Sequence, residues 1–396
     1  MEHLLTSRRI LLGVTGSIAA YKSVELARLL IKAGASVRVI MSEEAKRFVT
    51  PLTFEAITGE RVLHAKSEDW TNQDNHIHVH RWAELFCIAP ATANTLNKLS
   101  HGIADGLLLQ TALACPHPLV LAPAANTQMI EHTATQASIA LLAQRGASIV
   151  EPISKLLACQ IHGKGAMAEP ETIFWYIAQA LLQTPALKGK KVLVTGGGTT
   201  EAIDAVRCLS NHSSGKMAEA LALALFLKGA KPTLLTSAPA HTLNTPFSRM
   251  NYTNTASLKH TLFEILSAHE ALIMAAAVSD YLPKTTLEGK AKKSDLGSTW
   301  ELSLVQNEDI LIQAAATGIR CIGFKAETDA KNAHANARAM LEAKKLDGVC
   351  LNILDDTLTF GDNHTQLHLL TRHQEVTFEP LSKLEASLKL VEACFA

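Results

Sequence analysis

The apolar positions fall into two trains of short runs separated by amphipathic stretches, and each train begins with a run that empties into a glycine turn. In the first, residues 9–14 read as a buried strand. A helix to about Lys32 follows, with Val24, Leu26, Ala27, Leu30 and Ile31 on its inner face. Gly34 closes it, and residues 36–41 form a second strand. Strand, helix and strand in that order imply a right-handed parallel crossover. Residues 84–89, 119–122 and 149–152 read as further strands, with helices over 102–113 and 135–144 between them. A Gly-punctuated loop over 157–165, a closing helix over 172–182 and a short linker, Gln183-Thr184-Pro185, end the train.

The second train restarts at residues 192–195, an apolar run of the kind a strand covered on both faces needs. Gly196, Gly197 and Gly198 follow at once, then a polar segment to Lys216 and an apolar helix over 218–227. Strands are predicted at 232–236, 271–278, 321–324 and 348–351, with a helix over 330–345 between the last two. Residues 367–371 and 375–378 predict a hairpin, and 381–392 a final helix. Both halves therefore read as α/β sheets with helices on both faces.

Length supports the division, since 396 residues suffice for two or three domains. Lys+Arg and Asp+Glu are both 37, and this neutral balance speaks against nucleic-acid or acidic-membrane partners. The seven cysteines are scattered with no CxxC pair, which predicts neither a disulfide framework nor a zinc site. The first residues lead into a strand without an apolar leader, and no run approaches the ~18 residues of a membrane helix. A soluble cytoplasmic protein is expected.

The chemistry is concentrated where strands end. The first turn reads Gly13-x-x-Gly16-x-x-Ala19, not the GxGxxG of a dinucleotide site. Ser42 and Glu43 end the second strand; an acid there suits a ribose diol, and a hydroxyl beside helix N-terminal amides suits a phosphate. The exits Pro90-Ala91-Thr92 and Pro123-Ala124-Ala125-Asn126 carry small residues and an amide at the edge where such sheets bind ligands. His76, His78 and His80, read as a strand, share one face, which suits a metal comb, a polar face or a single general base. Cys159, in a Gly-rich loop, reads as an accessible thiol or a plain loop residue. In the second half Glu201 replaces the third glycine of a dinucleotide turn, and Met217 follows Gly215-Lys216 where a P-loop needs Ser or Thr. Lys290, Lys292 and Lys293 form a loop cluster, either a solvated face or a grip on a triphosphate.

Several of these stretches, in order, carry a resemblance. Residues 13–22, Asn75-His76-Ile77, 89–95 and Ala158-Cys159 resemble the flavin-dependent cysteine decarboxylases. With Ser210-Asn211-His212-Ser213-Ser214-Gly215-Lys216-Met217, nearly the whole chain resembles the bifunctional phosphopantothenoylcysteine decarboxylase / phosphopantothenate–cysteine ligase family of bacterial coenzyme A synthesis. The resemblance implies a flavodoxin-like parallel-sheet domain over 1–184 and a Rossmann-like α/β domain over 188–396.

For the first domain it implies FMN, held by Gly16, Ser17 and Ser42 at the phosphate and by Pro90, Ala91 and Thr92 beside the flavin. His76 is then the catalytic base, Asn126 holds the substrate carboxylate, and Cys159 supplies a proton. In that family's chemistry the flavin oxidises the substrate thiol to a thioaldehyde, CO₂ leaves, and the enethiol is reduced. For the second domain it implies CTP-dependent ligation of 4′-phosphopantothenate to L-cysteine through an acyl-cytidylate. Asn211 stabilises that intermediate and Arg207 the anionic substrate. Ala276, Asp280, Lys290, Asn307, Glu308, Asp309, Ile310, Phe324 and Lys344 receive the nucleotide, with Mg²⁺ on its phosphates and protein ligands for the metal unassigned. The resemblance also implies a homo-oligomer, dimeric through the ligase and trimeric through the decarboxylase, up to a dodecamer. The family contains flavin-binding partner subunits too, which is the alternative reading. Departures from its pattern in the first half bear on that alternative, with Ala125 in place of Met, Ile130 of Trp, Gln160 of Gly and Ala166 of Arg. In the second half Thr200 replaces Arg, Met340 replaces Lys and Leu351-Asn352-Ile353 replaces Ala-Asn-Asp, which implies weaker CTP binding rather than lost ligation.

Overall fold

The computed structural model describes residues 3–72, 74–158, 160–242, 244–354 and 361–395. Two compact units result: Met1–Leu182 with Asn244–Pro246, and Gln183–Leu243 with Phe247–Ala396. No described helix is long and apolar enough to cross a membrane.

The first unit runs β1 (Arg9–Val14), α1 (Ala20–Lys32), β2 (Ser36–Met41), α2 (Pro51–Thr58), α3 (His76–Trp82), β3 (Leu85–Ala91) and α4 (Ala93–Ser100). It continues through α5 (Leu107–Ala114), β4 (Leu119–Pro123), α6 (Thr127–Glu131), α7 (Thr133–Gln144), β5 (Ser148–Ile149), β6 (Ile153–Leu156), β7 (His162–Ala166) and α8 (Pro170–Leu182). The sheet order is β2-β1-β3-β4-β5, parallel throughout, which is the flavodoxin-like arrangement. Register runs from Arg9↔Ser36 to Val14↔Met41 on one side of β1 and from Ile10↔Leu85 to Gly13↔Ile88 on the other. Leu11, Ile40, Phe86, Ile88 and Leu121 are fully buried in one cluster beneath the helices. The strand order reverses at β1 and β3, so the crevice past their carboxyl ends is where a ligand belongs.

Three expectations for this half are corrected. Residues 76–80 are helical, because the Asn75 side chain accepts from the backbone N–H groups of Ile77 and His78 and so starts α3. The three imidazoles therefore do not share a strand face. The helix expected over 102–113 begins only at Leu107, after α4 has closed at His101 and Gly102. Of the loop expected over 157–165, residues 162–165 belong instead to β7, which pairs with β6.

The second unit runs β8 (Lys191–Gly196), β9 (Thr200–Ala202), β10 (Cys208–Ser210), α9 (Lys216–Leu227), β11 (Lys231–Thr236), β12 (Ser248–Asn251), α10 (Thr255–Leu266) and β13 (Ala271–Met274). After it come β14 (Tyr281–Pro283), α11 (Lys293–Leu296), β15 (Leu304–Gln306), α12 (Ile310–Ala316), β16 (Arg320–Glu327), α13 (Ala333–Ala343) and β17 (Gly348–Ile353). The chain ends in β18 (His364–Thr365), β19 (Leu367–Thr371), β20 (Glu375–Thr377), β21 (Leu381–Ser382) and α14 (Lys383–Phe395). The sheet order is β12-β11-β8-β13-β16-β17-β19-β20. Its first six strands, numbered along the chain, stand 3-2-1-4-5-6 and are parallel, which is Rossmann-like; β19 and β20 add an antiparallel edge.

Two buried clusters cover its two faces. One is built on Val192, Val194, Leu225 and Ile273, the other on Leu193, Leu235, Leu272 and Val349. That alternation along β8 is the period of two expected of a strand with helices on both sides. The strand expected over 271–278 pairs as β13 only to Met274. From there its amides turn to the glycine turn: the N–H of Ala277 donates to Gly197 O at 2.8 Å, and Thr199 N to Ala277 O at 3.1 Å.

Candidate active sites

In the first unit a cavity of about 670 Å³ lies at the reversal of strand order, within the ~300–1,000 Å³ range of small-molecule sites. Gly16, Ser17 and Ser42 line it together with Thr92 and Asn94. Thr15 ties the two strand exits together: its hydroxyl donates to Pro90 O at 2.6 Å and accepts from Thr92 N at 3.1 Å. Gly16 is required by close approach, since a Cβ there would stand 2.5 Å from Glu44 Cβ. Ser42 caps the 3₁₀ turn Glu43–Arg47 by accepting from Ala45 N, and Ser17 Oγ accepts from Ala19 N ahead of α1. Thr92 does the same for α4. Two hydroxyls beside helix starts, a glycine approach and apolar walls at Met41, Phe48 and Leu108 form a donor set that fits a phosphate-bearing, ring-bearing cofactor.

The acids in the wall are already paired. Glu43 lies 2.7 Å from Lys46 Nζ, and that hydrogen bond holds its carboxyl below the ordinary value. Glu44 pairs with Arg47 at 2.8 Å. Ala125 lines the cavity, whereas Pro90, Ala91, Asn126 and His76 are not on its wall. Asn126 instead caps α6 by accepting from Gln128 N at 3.0 Å. Cys159 lies outside the described residues.

His76 opens α3. Its Nδ1 lies 2.8 Å from Glu68 Oε1, and the Trp70 ring meets the imidazole edge-on with centroids 5.4 Å apart. Nothing in the order of residues pointed to Glu68, eight positions upstream. Next on the helix, His80 is buried and its Nδ1 has no hydrogen-bond partner; burial pushes its pKa down.

In the second unit the strand order reverses between β8 and β13, and a cavity of about 170 Å³ sits there. Ala276 and Phe324 line it, facing His212, Ser213, Ser214 and Gly215 at the start of α9. Gly197 needs its glycine: φ is +82°, and a Cβ would run into Ser237 Oγ. Tyr252 buttresses the turn from below, its buried hydroxyl donating to Gly196 O at 2.8 Å. Burial raises that phenol to about 12. Neither Tyr252 nor Lys383, which also lines the cavity, stood out in the sequence. Burial, with the Lys216 ammonium nearby, lowers the Lys383 pKa.

The remaining expected nucleotide residues do not line this cavity. Asn307 donates to Asp280 O and Ser279 O, both at 2.8 Å, so these two join as a unit. Asp309 caps α12 by accepting from Ile312 N and pairs with Lys344 at 2.6 Å, while Glu308 pairs with Lys259. Ile310 is buried in the core. Lys290 is exposed, in the loop that Asp204 and Arg207 hold. Arg207 pairs with Asp204 at 3.2 Å, donates to Ala291 O at 3.1 Å and stacks 4.8 Å from the Trp300 ring. Asn211 is exposed and its Nδ2 donates to Val278 O at 3.2 Å. Glu201, where a dinucleotide turn has glycine, is buried and accepts from the N–H and hydroxyl of Thr255 at 2.9 and 2.7 Å, anchoring α10. Among the described residues no cluster of three or more His, Cys, Asp or Glu could hold a metal.

Comparison with known proteins assigns both halves. Residues 1–182 match the Flavoprotein family and residues 187–396 the DNA/pantothenate metabolism flavoprotein C-terminal domain. The coenzyme A biosynthesis bifunctional protein CoaBC of Vibrio parahaemolyticus is 37% identical over 395 residues, covering 98% of each chain. That of Bacillus subtilis is 37% identical over 411 residues, again with 98% of each covered. Among solved structures, a PPC decarboxylase mutant complexed with pantothenoylaminoethenethiol is 32% identical, covers 43% of this chain and 96% of its own, and has a TM-score of 0.41. With both domain families matched in order and full-length relatives at this identity, the chain belongs to the family of coenzyme A biosynthesis bifunctional proteins, a flavoprotein half joined to a DNA/pantothenate metabolism C-terminal half.

Proposed function

We propose that this protein carries out two successive steps of coenzyme A biosynthesis. CTP-dependent ligation joins L-cysteine to 4′-phosphopantothenate in residues 188–396. FMN-dependent decarboxylation of the product to 4′-phosphopantetheine takes place in residues 1–184. Membership of the bifunctional family over nearly the full chain carries the reading. Supporting it, each unit has a cavity at the reversal of its strand order, the place where such sheets bind ligands.

In the first half Gly16, Ser17 and Ser42 would hold the FMN phosphate, and the Pro90–Thr92 exit would lie beside its ring. When bound, FMN supplies the two-electron chemistry that labilises the substrate carboxylate. The chain's own contributions are positional and protonic. His76 would accept a proton at Nε2, since Nδ1 is engaged with Glu68. Asn126 would hold the substrate carboxylate, and Cys159 would return a proton. A homo-oligomer is part of this reading. Ile18, Tyr21, Leu52 and Trp70 in the first unit are each more than half exposed, which a further protomer would cover.

In the second half Asn211 would stabilise the acyl-cytidylate, and Arg207 would face the anionic substrate. Ala276 and Phe324 would flank the nucleotide, with Asp280, Lys290, Asn307, Glu308, Asp309, Ile310 and Lys344 around it. Mg²⁺ would accompany CTP mainly through phosphate oxygens, as that ion commonly does.

The test is one incubation of FMN-loaded protein with 4′-phosphopantothenate, L-cysteine, CTP and Mg²⁺, read by mass spectrometry. Formation of 4′-phosphopantetheine is expected. Accumulation of phosphopantothenoylcysteine would overturn the decarboxylase half alone, and absence of both products would overturn the whole assignment.

A further inference from the structure

We propose that Glu68 is a positioning residue for decarboxylation: its carboxylate fixes His76 in the tautomer that carries its proton on Nδ1 and leaves Nε2 free to act as the base. The inference rests on His76 being the base of the proposed reaction.

The juxtaposition is built into the loop between the two residues. Glu68 and His76 stand at the ends of a short excursion closed by an antiparallel bridge between Asp69 and Asp74, whose backbone bond is 2.8 Å from Asp69 N to Asp74 O. Asp69 folds the tip by accepting from Thr71 N, Thr71 Oγ1 and Asn72 Nδ2, at 2.8, 2.7 and 3.0 Å. Asp74 pins the far arm to the sheet. It accepts from Arg38 Nη2 at 2.6 Å, and Arg38 is a largely buried residue of β2. Asn75 then caps α3, which fixes the direction in which the His76 side chain leaves the backbone.

Against that frame Glu68 Oε1 meets His76 Nδ1 at 2.8 Å and also faces the His76 N–H at 3.4 Å. Both side chains are only 22% exposed, so water competes weakly for the contact. A carboxylate has acceptors only, so Nδ1 must be the donor and the neutral ring keeps its lone pair on Nε2. Trp70 adds an edge-on ring contact to the same imidazole. A second group that sets tautomer and orientation is what a general-base histidine needs.

Glu68→Ala and Glu68→Gln, with His76→Asn alone and combined with Glu68→Ala, test this in the full-length FMN-loaded enzyme. Two readings from the same preparation check folding: flavin absorbance, and CTP-dependent ligation by the other half. The decarboxylation kcat of Glu68→Ala is expected to fall by about tenfold to a hundredfold, with KM within about twofold, because orientation and tautomer are lost and substrate contacts are not. Glu68→Gln, whose amide oxygen still accepts from Nδ1, should recover part of that loss. In the His76→Asn background, Glu68→Ala should cost nothing further, since a residue acting only through His76 has no route left.

An unchanged kcat in Glu68→Ala beside a crippled His76→Asn overturns the proposal and spares the base. A loss that persists in the double variant, or one that follows flavin loss, also overturns it, because the effect is then structural. Full activity of His76→Asn overturns the reading beneath it and the proposal together.

Discussion

Gln160 holds a backbone conformation that its side chain disfavours. Its φ of +63° lies in the left-handed region, in the turn where Gln160 N donates to Leu157 O and Leu157 N to Ile161 O, both at 2.9 Å. A non-glycine residue there costs about 1–2 kcal/mol. The resemblance implies glycine at this position, which is the residue this backbone conformation favours. Gln160→Gly should stabilise the first unit by about 1 kcal/mol, raising its Tm by about 2–4 °C in a thermal melt. A β-branched residue such as Val should lower it. An unmoved or lower Tm for the glycine variant would rule out strain at this turn. Other departures have plainer settings. Ile130 is fully buried, where an apolar side chain is all that packing needs, and Met340 Cε packs close beneath Gly323. Nothing in the structure explains Ala166.

At the scale of elements, the segment after the glycine turn was legible only as polar. It folds as the β9–β10 hairpin and a loop locked by Asp204. Burial alone would push the Asp204 carboxyl up. The N–H groups of Val206, Arg207 and Ala291, together with the Arg207 guanidinium, outweigh it and hold the group below its ordinary value. A carboxyl with a lowered pKa in the fold contributes stability above its unfolded value near 3.8, and that contribution is lost as pH falls through the folded value. The 203–207 loop and the loop carrying Lys290 should therefore stay docked at neutral pH and separate in acid. Asp204→Asn should bring the separation to neutral pH. It would be read as faster amide exchange over 203–207 and 289–293 and faster tryptic cleavage after Lys290, Lys292 and Lys293. Equal cleavage of variant and parent would rule out the lock.

The same scale separates what the sequence could reveal from what it could not. The strands β1 and β8 were readable because a parallel strand covered on both faces is a continuous apolar run. The His76–His80 stretch misled because alternating His and apolar residues have a period of two, and a local cap from Asn75 decides for helix. Glu68 and Tyr252 were invisible for another reason: their roles arise from contacts across 8 residues of loop and across 56 residues of chain. The candidate sites were legible as glycine turns and strand ends, since those motifs are contiguous. Their supporting partners were not.

At the scale of the whole molecule, each unit has a core of its own, and the second unit's core reaches back further than its first strand. Leu187 is 1% exposed in the cluster with Val192, Leu225 and Leu390. Thr184 N donates to Lys228 O at 3.0 Å, and Lys188 N to Thr184 O at 3.1 Å, so this stretch is an ordered turn of the second unit. A chain beginning at Gln183 keeps that turn and its buried leucine, whereas one beginning at Lys191 loses both. Removing a buried leucine costs about 2–5 kcal/mol, a large share of the ~5–15 kcal/mol that holds a typical domain together. The fragment 183–396 is therefore expected to melt cooperatively and, on the proposed reading, to form phosphopantothenoylcysteine from 4′-phosphopantothenate, L-cysteine and CTP. The fragment 191–396 should melt several degrees lower or fail to fold. Equal melting of the two fragments would mean that Leu187 contributes nothing to the second core. Failure of 183–396 to ligate where the full chain succeeds would mean that the ligase requires the flavoprotein half.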